Sequence, residues 1–136
     1  CPNLIERIEG GLLSYGSDMR RDNSPIESGL SRFCNSPADY IGKREIERQK
    51  LEGPKRQIRS VEIDGPGDLP HNGAGWDVYG DGQKVGLIAS AAWSPDFQTN
   101  VSIGMIDKSH WSAGTRVEVH TKLGVRGATV REKFWI

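Results

Sequence analysis

The chain has 136 residues, a mass of 15.0 kDa, and 18 lysines plus arginines against 18 aspartates plus glutamates. Zero formal net charge removes the basic footprint of a nucleic-acid binder. The length suffices for one domain with its own core, or one domain plus a piece of another, and excludes a large multidomain enzyme.

Seventeen glycines and seven prolines imply many turns and hence a mostly β chain. No apolar run approaches the ~20 residues of a membrane span, and no charged-then-apolar leader is visible, so the sequence reads as soluble and cytoplasmic. Cys1 and Cys34 lack C-x-x-C spacing and a neighbouring histidine, so they read as free thiols of a reducing compartment. Cys1-Pro2 in place of an initiator methionine reads as a piece cut from something longer.

Asn3 to Tyr15 places Leu4, Ile5, Ile8, Leu12 and Tyr15 at helical spacing behind Asn3 as a cap, which predicts one helix ended and packed by Tyr15-Gly16. Gly10 and Gly11 inside it each cost ~1 kcal/mol relative to alanine and imply the close approach of another backbone. Ser24-Pro25 opens a second short apolar element, Ile26 to Phe33. Lys43 to Leu51, closed by Gly53-Pro54, is the clearest helix and is solvated on most faces. Leu4, Ile5, Ile8, Leu12, Leu13, Ile26 and Leu30 need covering from outside this small N-terminal block.

After Pro54 the texture changes. Gln57 to Ile63 alternates as a strand, and Asp64 to Gly75 is a long loop that contains His71. Trp76 to Tyr79 and Lys84 to Ala89 are strands joined by an Asp81-Gly82 hairpin turn. Val101 to Ile106 is a further strand. Between it and Ala89, Ser94-Pro95 takes the chain out of the sheet as a loop carrying Trp93 and Phe97. Thr115 to Thr121 and Gly127 to Trp135 complete about six strands, which form a small closed antiparallel barrel. The domain boundary falls at Gly53-Pro54, between a helical unit of residues 1–53 and a barrel of residues 54–136.

Little of this carries chemistry by itself. The three histidines, His71, His110 and His120, fall in a loop, a turn and the outward face of a strand, without metal-ligand spacing. Asp96 in its turn reads as a capping residue rather than an acid or base. Arg7 and Glu9 read either as a pair on the first helix or as ligands.

Several blocks taken together are more specific. Arg7-Ile8-Glu9-Gly10-Gly11-Leu12, Tyr15-Gly16-Ser17-Asp18-Met19, Ser24-Pro25-Ile26-Glu27, Gly29-Leu30, Ile41-Gly42-Lys43 and Ser90-Ala91-Ala92-Trp93-Ser94-Pro95 resemble, in order, motifs of the folate-dependent aminomethyltransferase family, the T-protein of glycine cleavage and its relatives. Pro2-Asn3-Leu4 stands where T-proteins carry A-R-D. Together with Lys108-Ser109-His110-Trp111, this departure is similar to the branch that demethylates the sulfonium compound dimethylsulfoniopropionate.

The resemblance implies a barrel behind the helical end of an α/β folate-binding domain, with tetrahydrofolate as methyl acceptor, a small sulfonium substrate, and upstream domains of the same protein as partners. It implies Trp93 and Ser94 facing a central pocket, and Arg56 and Arg59 near the anionic folate tail. No catalytic or metal-ligating residue is implied within the chain, which alone would be inactive. An aminomethyltransferase of glycine cleavage, or a non-catalytic folate-binding relative, are the alternatives.

Overall fold

A computed structural model of the protein describes residues 3–70 and 75–136. Its first helix, α1 (Leu4–Glu9), begins at a capping box: Asn3 Oδ1 accepts from the Glu6 amide at 2.9 Å while the Glu6 carboxylate accepts from the Asn3 amide. The helix stops far short of Tyr15. Gly10 caps it and Gly11 takes φ +68, a left-handed conformation that glycine adopts without strain. The glycine pair thus terminates the helix, and what approaches Gly11 is the Phe134 ring, 2.6 Å from where a Cβ would stand. Tyr15 is not packed: it forms a bridge with Met19 and stays 67% exposed.

The apolar stretch Ile26 to Phe33 forms turns and a single 3-10 turn at Ser31–Phe33 instead of a longer element. Helix α2 (Lys43–Glu52) matches the sequence expectation and has no buried residue, so its charges face water.

Six strands follow: β1 (Arg56–Ile63), β2 (Trp76–Gly80), β3 (Gln83–Ser94), β4 (Thr99–Asp107), β5 (Arg116–Thr121) and β6 (Gly124–Arg131). They close into an antiparallel barrel in the order β1-β4-β3-β2-β5-β6, with β6 returning to β1. Asp81 and Gly82 at φ 52 and 78 make the β2–β3 hairpin, since the paired positive angles match the strand twist. Val117 and Val119 are buried and His120 is exposed, stacked 4.3 Å from Tyr79. His71 lies outside the described residues, as does Cys1, while Cys34 is a free thiol.

The stretch between Ala89 and Val101, expected to leave the sheet as a loop carrying Trp93 and Phe97, is strand as far as Ser94, and only the four residues Pro95 to Gln98 turn. Proline removes only its own amide and holds Ser94 extended, which is compatible with Ser94 pairing with Thr99 as the last rung of the ladder.

Two apolar clusters share the sheet. Residues from all six strands, among them Val61, Val78, Ile88, Ile106, Val119 and Val130, fill the barrel. On the outer face of β1, β3 and β4, Ile58, Ala92, Val101 and Ile103 bury Ile8, with Leu4, Ile5, Leu13, Phe134 and Trp135 packed around them. For Leu4, Ile5, Ile8 and Leu13 the covering is supplied by the barrel wall, whereas Leu12 remains half exposed.

Candidate functional site

Strand β3 carries a bulge: Ile88 pairs with Gly104 and Ser90 with the next residue, Ile103, leaving Ala89 as the extra residue. The bulge shifts the two-residue alternation by one, so Ser90, Ala92 and Ser94 share the outer face against the N-terminal segment while Ala91 stays in the barrel. Small side chains at this face let residues 3–19 sit close, and the two hydroxyls give that contact its polar bonds.

At Ser90 the network is ionic. Arg7 Nη1 donates to Asp18 Oδ2 at 2.5 Å and to the Leu12 carbonyl at 2.8 Å, and Nη2 donates to Ser90 Oγ at 2.9 Å. Ser90 donates to Asp18 Oδ1 at 2.6 Å, and the Ser14 amide donates to Asp18 Oδ2 at 2.8 Å. The Asp18 side chain has 0% exposure and that of Arg7 17%, so the charge of the pair is met inside the protein. Arg7 and Glu9 do not pair with each other, because residues two apart on a helix point to different sides.

At Ser94 the arrangement differs. Its hydroxyl donates to Glu9 Oε1 at 2.5 Å and its oxygen accepts from the Phe97 amide at 3.1 Å. Glu9 is 3% exposed, and its backbone carbonyl accepts from the Trp135 and Ile136 amides at 2.8 and 3.0 Å.

The residues read from the sequence as a ligand-facing set do not converge. Trp93 pairs with Asn100 and Arg56 with Asp107, seven residues further along β4, or about 23 Å at ~3.3 Å per residue. Trp93 lies over Gly67, whose Cβ would fall 2.5 Å from the indole. Beside it, Asn100 Nδ2 donates to the carbonyls of Ile63, Gly65 and Pro66, which ties the loop after β1 across this barrel end. Arg59 belongs to the opposite end. It donates to the Trp111 and Ile58 carbonyls, both at 3.0 Å, and lies 5.3 Å from the Trp111 ring, where burial pushes the pKa of its guanidinium down from the ordinary arginine value. Arg59 remains a cation, because that ordinary value is so far above neutrality.

Arg56 donates to Glu27 Oε2 at 2.7 Å and to the Asp22 carbonyl at 3.2 Å, and is 39% exposed. It lines a cleft between residues 17–23 and the outer face of β3 and β4, together with Arg20, Asp22, Lys84 and Asp107 over an apolar floor of Leu87 and Met105. Asp77 holds the Lys84 ammonium pKa above its usual value through a 3.0 Å pair. The pairings of Asp18 with Ser90 and of Glu9 with Ser94 are not readable from spacing: the partners are 72 and 85 residues apart, and only docking of the N-terminal segment on the outer face of β3 brings them together.

The family profile described as "Glycine cleavage T-protein C-terminal barrel domain" matches residues 56–135. The chain is 54% identical, over 99% of its length, to dimethylsulfoniopropionate demethylase DmdA of Ruegeria pomeroyi, of which it covers 36%. An aminomethyltransferase of Caldanaerobacter subterraneus is 33% identical over 83% of the chain, and 30% of that protein is covered. The chain thus spans about a third of the length of these curated relatives. The crystal structure of glycine cleavage system aminomethyltransferase T from Bartonella henselae superposes with a TM-score of 0.83 at 21% identity, covering 96% of this chain and 37% of that one, which speaks to the fold. Barrel topology and family profile agree, and the chain belongs to the glycine cleavage T-protein family through its C-terminal barrel domain.

Proposed function

We propose that the chain is the C-terminal portion of a tetrahydrofolate-dependent methyltransferase that demethylates dimethylsulfoniopropionate. The observation that carries this assignment is the 54% identity to the Ruegeria demethylase across 99% of the chain, against 33% to aminomethyltransferases. In the proposed reaction the sulfonium S–CH3 bond breaks with its electron pair going to sulfur, which leaves methylmercaptopropionate. The methyl forms a bond to the folate N5, and N5 releases its proton. The sulfonium is already a good leaving group, so in-line placement of the two partners is the main demand on the protein.

Residues 1–53 are then the helical end of the folate-binding domain and residues 54–136 the barrel. Tetrahydrofolate presents a flat pterin and an anionic tail. Trp93, which is partly accessible, suits a flat or cationic face. Arg56, whose Nη1 has no partner among the described residues, suits a carboxylate. Standing at opposite ends of β4, they would serve different parts of a ligand. Ser94 and Arg59, engaged by Glu9 and by Trp111, would support such contacts from behind. The chain by itself would be inactive, and the intact protein would be cytoplasmic; among the described residues no helix is long and apolar enough to cross a membrane.

The test supplies the intact protein with tetrahydrofolate and either dimethylsulfoniopropionate or an aminomethyl-loaded carrier protein, and separates the folate products by chromatography. 5-Methyl-tetrahydrofolate formed only with the sulfonium supports the assignment. Methylene-tetrahydrofolate formed with the carrier would place the chain among the aminomethyltransferases instead.

A further inference from the structure

We propose that Glu9 is a positioning residue that sets the β3–β4 turn, and with it Trp93 and Phe97, by orienting the hydroxyl of Ser94. Glu9 is almost wholly buried, and in contrast to Asp18, whose charge Arg7 meets at 2.5 Å, it has no cationic partner among the described residues. A buried carboxylate without a counter-ion costs free energy, so its retention asks for a role.

The hydrogen-bond directions supply one. The Ser94 hydroxyl donates to Glu9 Oε1, 2.5 Å away, which commits its single proton to the carboxyl group. That leaves the Ser94 oxygen lone pairs to accept the Phe97 amide at 3.1 Å, three residues on, which closes the turn. The turn needs this help because Pro95 contributes no amide and Gln98 sits at φ +51, a strained conformation for a residue with a side chain. Phe97 leaves the turn 44% exposed, a large ring presented outward.

Glu9 is in turn held by three parts of the chain: helix α1 from its own side, β3 through Ser94, and the Trp135 and Ile136 amides on its carbonyl. Movement of the N-terminal segment on the barrel therefore reaches the turn through one carboxylate. The inference rests on the proposed demethylase function for its kinetic arm alone.

Ser94→Ala, Ser94→Thr and Glu9→Gln are made in the intact protein. Hydrogen exchange is read for the peptide that spans residues 95–98, with kcat and KM measured for tetrahydrofolate and for dimethylsulfoniopropionate. Ser94→Ala should raise exchange at the Phe97 amide and raise one of the two KM values roughly tenfold with kcat changed less than twofold, the effect of losing one charge-assisted hydrogen bond. Ser94→Thr, which keeps the hydroxyl, should restore both. Glu9→Gln keeps an acceptor but can also donate, and should fall between them. Faster exchange with unchanged KM, or kcat falling in step with thermal stability, would overturn the positioning role. Failure of the wild-type protein to demethylate the sulfonium would sink the functional assignment, and the exchange arm alone would then decide whether Glu9 sets the turn.

Discussion

Arg7→Ala tests the attachment of the N-terminal segment to the barrel. The substitution leaves the fully buried Asp18 carboxylate with two donors, the Ser14 amide at 2.8 Å and the Ser90 hydroxyl at 2.6 Å, and no cation. Removing one partner of a buried pair costs about 3–5 kcal/mol, and the two surviving hydrogen bonds place this case near 3 kcal/mol. At 1.4 kcal/mol per factor of ten, that is roughly a hundredfold increase in the open fraction of the segment. Native-state hydrogen exchange of the α1 amides and of Ser14 reads this opening directly, without requiring the whole protein to unfold. Asp18→Asn removes the charge and should cost less, about 1–2 kcal/mol, for weakened hydrogen bonds. The double variant should then be more stable than the sum of the singles predicts, because it no longer buries a bare charge. Exchange in Arg7→Ala within threefold of wild type would refute the idea that this ion pair fastens the segment.

Other expectations follow from the same geometry. Gly67→Ala puts a methyl 2.5 Å from the Trp93 ring and should shift that tryptophan's fluorescence while costing about 1–3 kcal/mol, seen in urea unfolding. Asn100→Asp sets a carboxylate against the Ile63, Gly65 and Pro66 carbonyls and should destabilise by more than Asn100→Ala, itself costing about 1–3 kcal/mol, with the 64–70 loop exchanging faster in both. The Glu45 carboxyl pKa is held below its ordinary value, first by the hydrogen bond from Arg48, so its small contribution to α2 is present above the ordinary carboxyl value and lost as pH falls through the folded one. Glu45→Gln should accordingly differ from wild type in α2 exchange at neutral pH and converge with it in acid.

The sequence made the barrel legible because its signals are local. Alternation at Val61 and Ile63, the paired positive angles that Asp81-Gly82 permits, and the solvated charge pattern of Lys43 to Leu51 each depend on neighbours in the chain, whereas Ile58, expected on the same face, packs on the outer wall. The errors have equally specific causes. Helical periodicity from Leu4 to Tyr15 was outweighed by Gly10-Gly11, which ends α1 so that Phe134 can cover Gly11. Pro95 signals an early break in the strand, yet it constrains only Ser94 and lacks only its own amide, so β3 pairs as far as Ser94.

The candidate site was less legible, because its order depends on contacts remote in sequence. Ser94 was visible as part of a motif, but its partner Glu9 lies 85 residues away. Arg56 and Arg59 are three residues apart in the chain yet do different things, one on an exposed cleft and the other capping the barrel against Trp111. The bulge at Ala89, which decides that Ser90 and Ser94 face the N-terminal segment, leaves no mark in a run of small residues.

The most direct test of the central claim follows the methyl group itself. Dimethylsulfoniopropionate labelled with carbon-13 in its S-methyl groups is given to the intact protein with unlabelled tetrahydrofolate, and the folate product is examined by NMR. The account predicts the label on 5-methyl-tetrahydrofolate, in equal amount to the methylmercaptopropionate formed. Label that stays entirely in the sulfonium compound, while an aminomethyl-loaded carrier protein is converted, would contradict it.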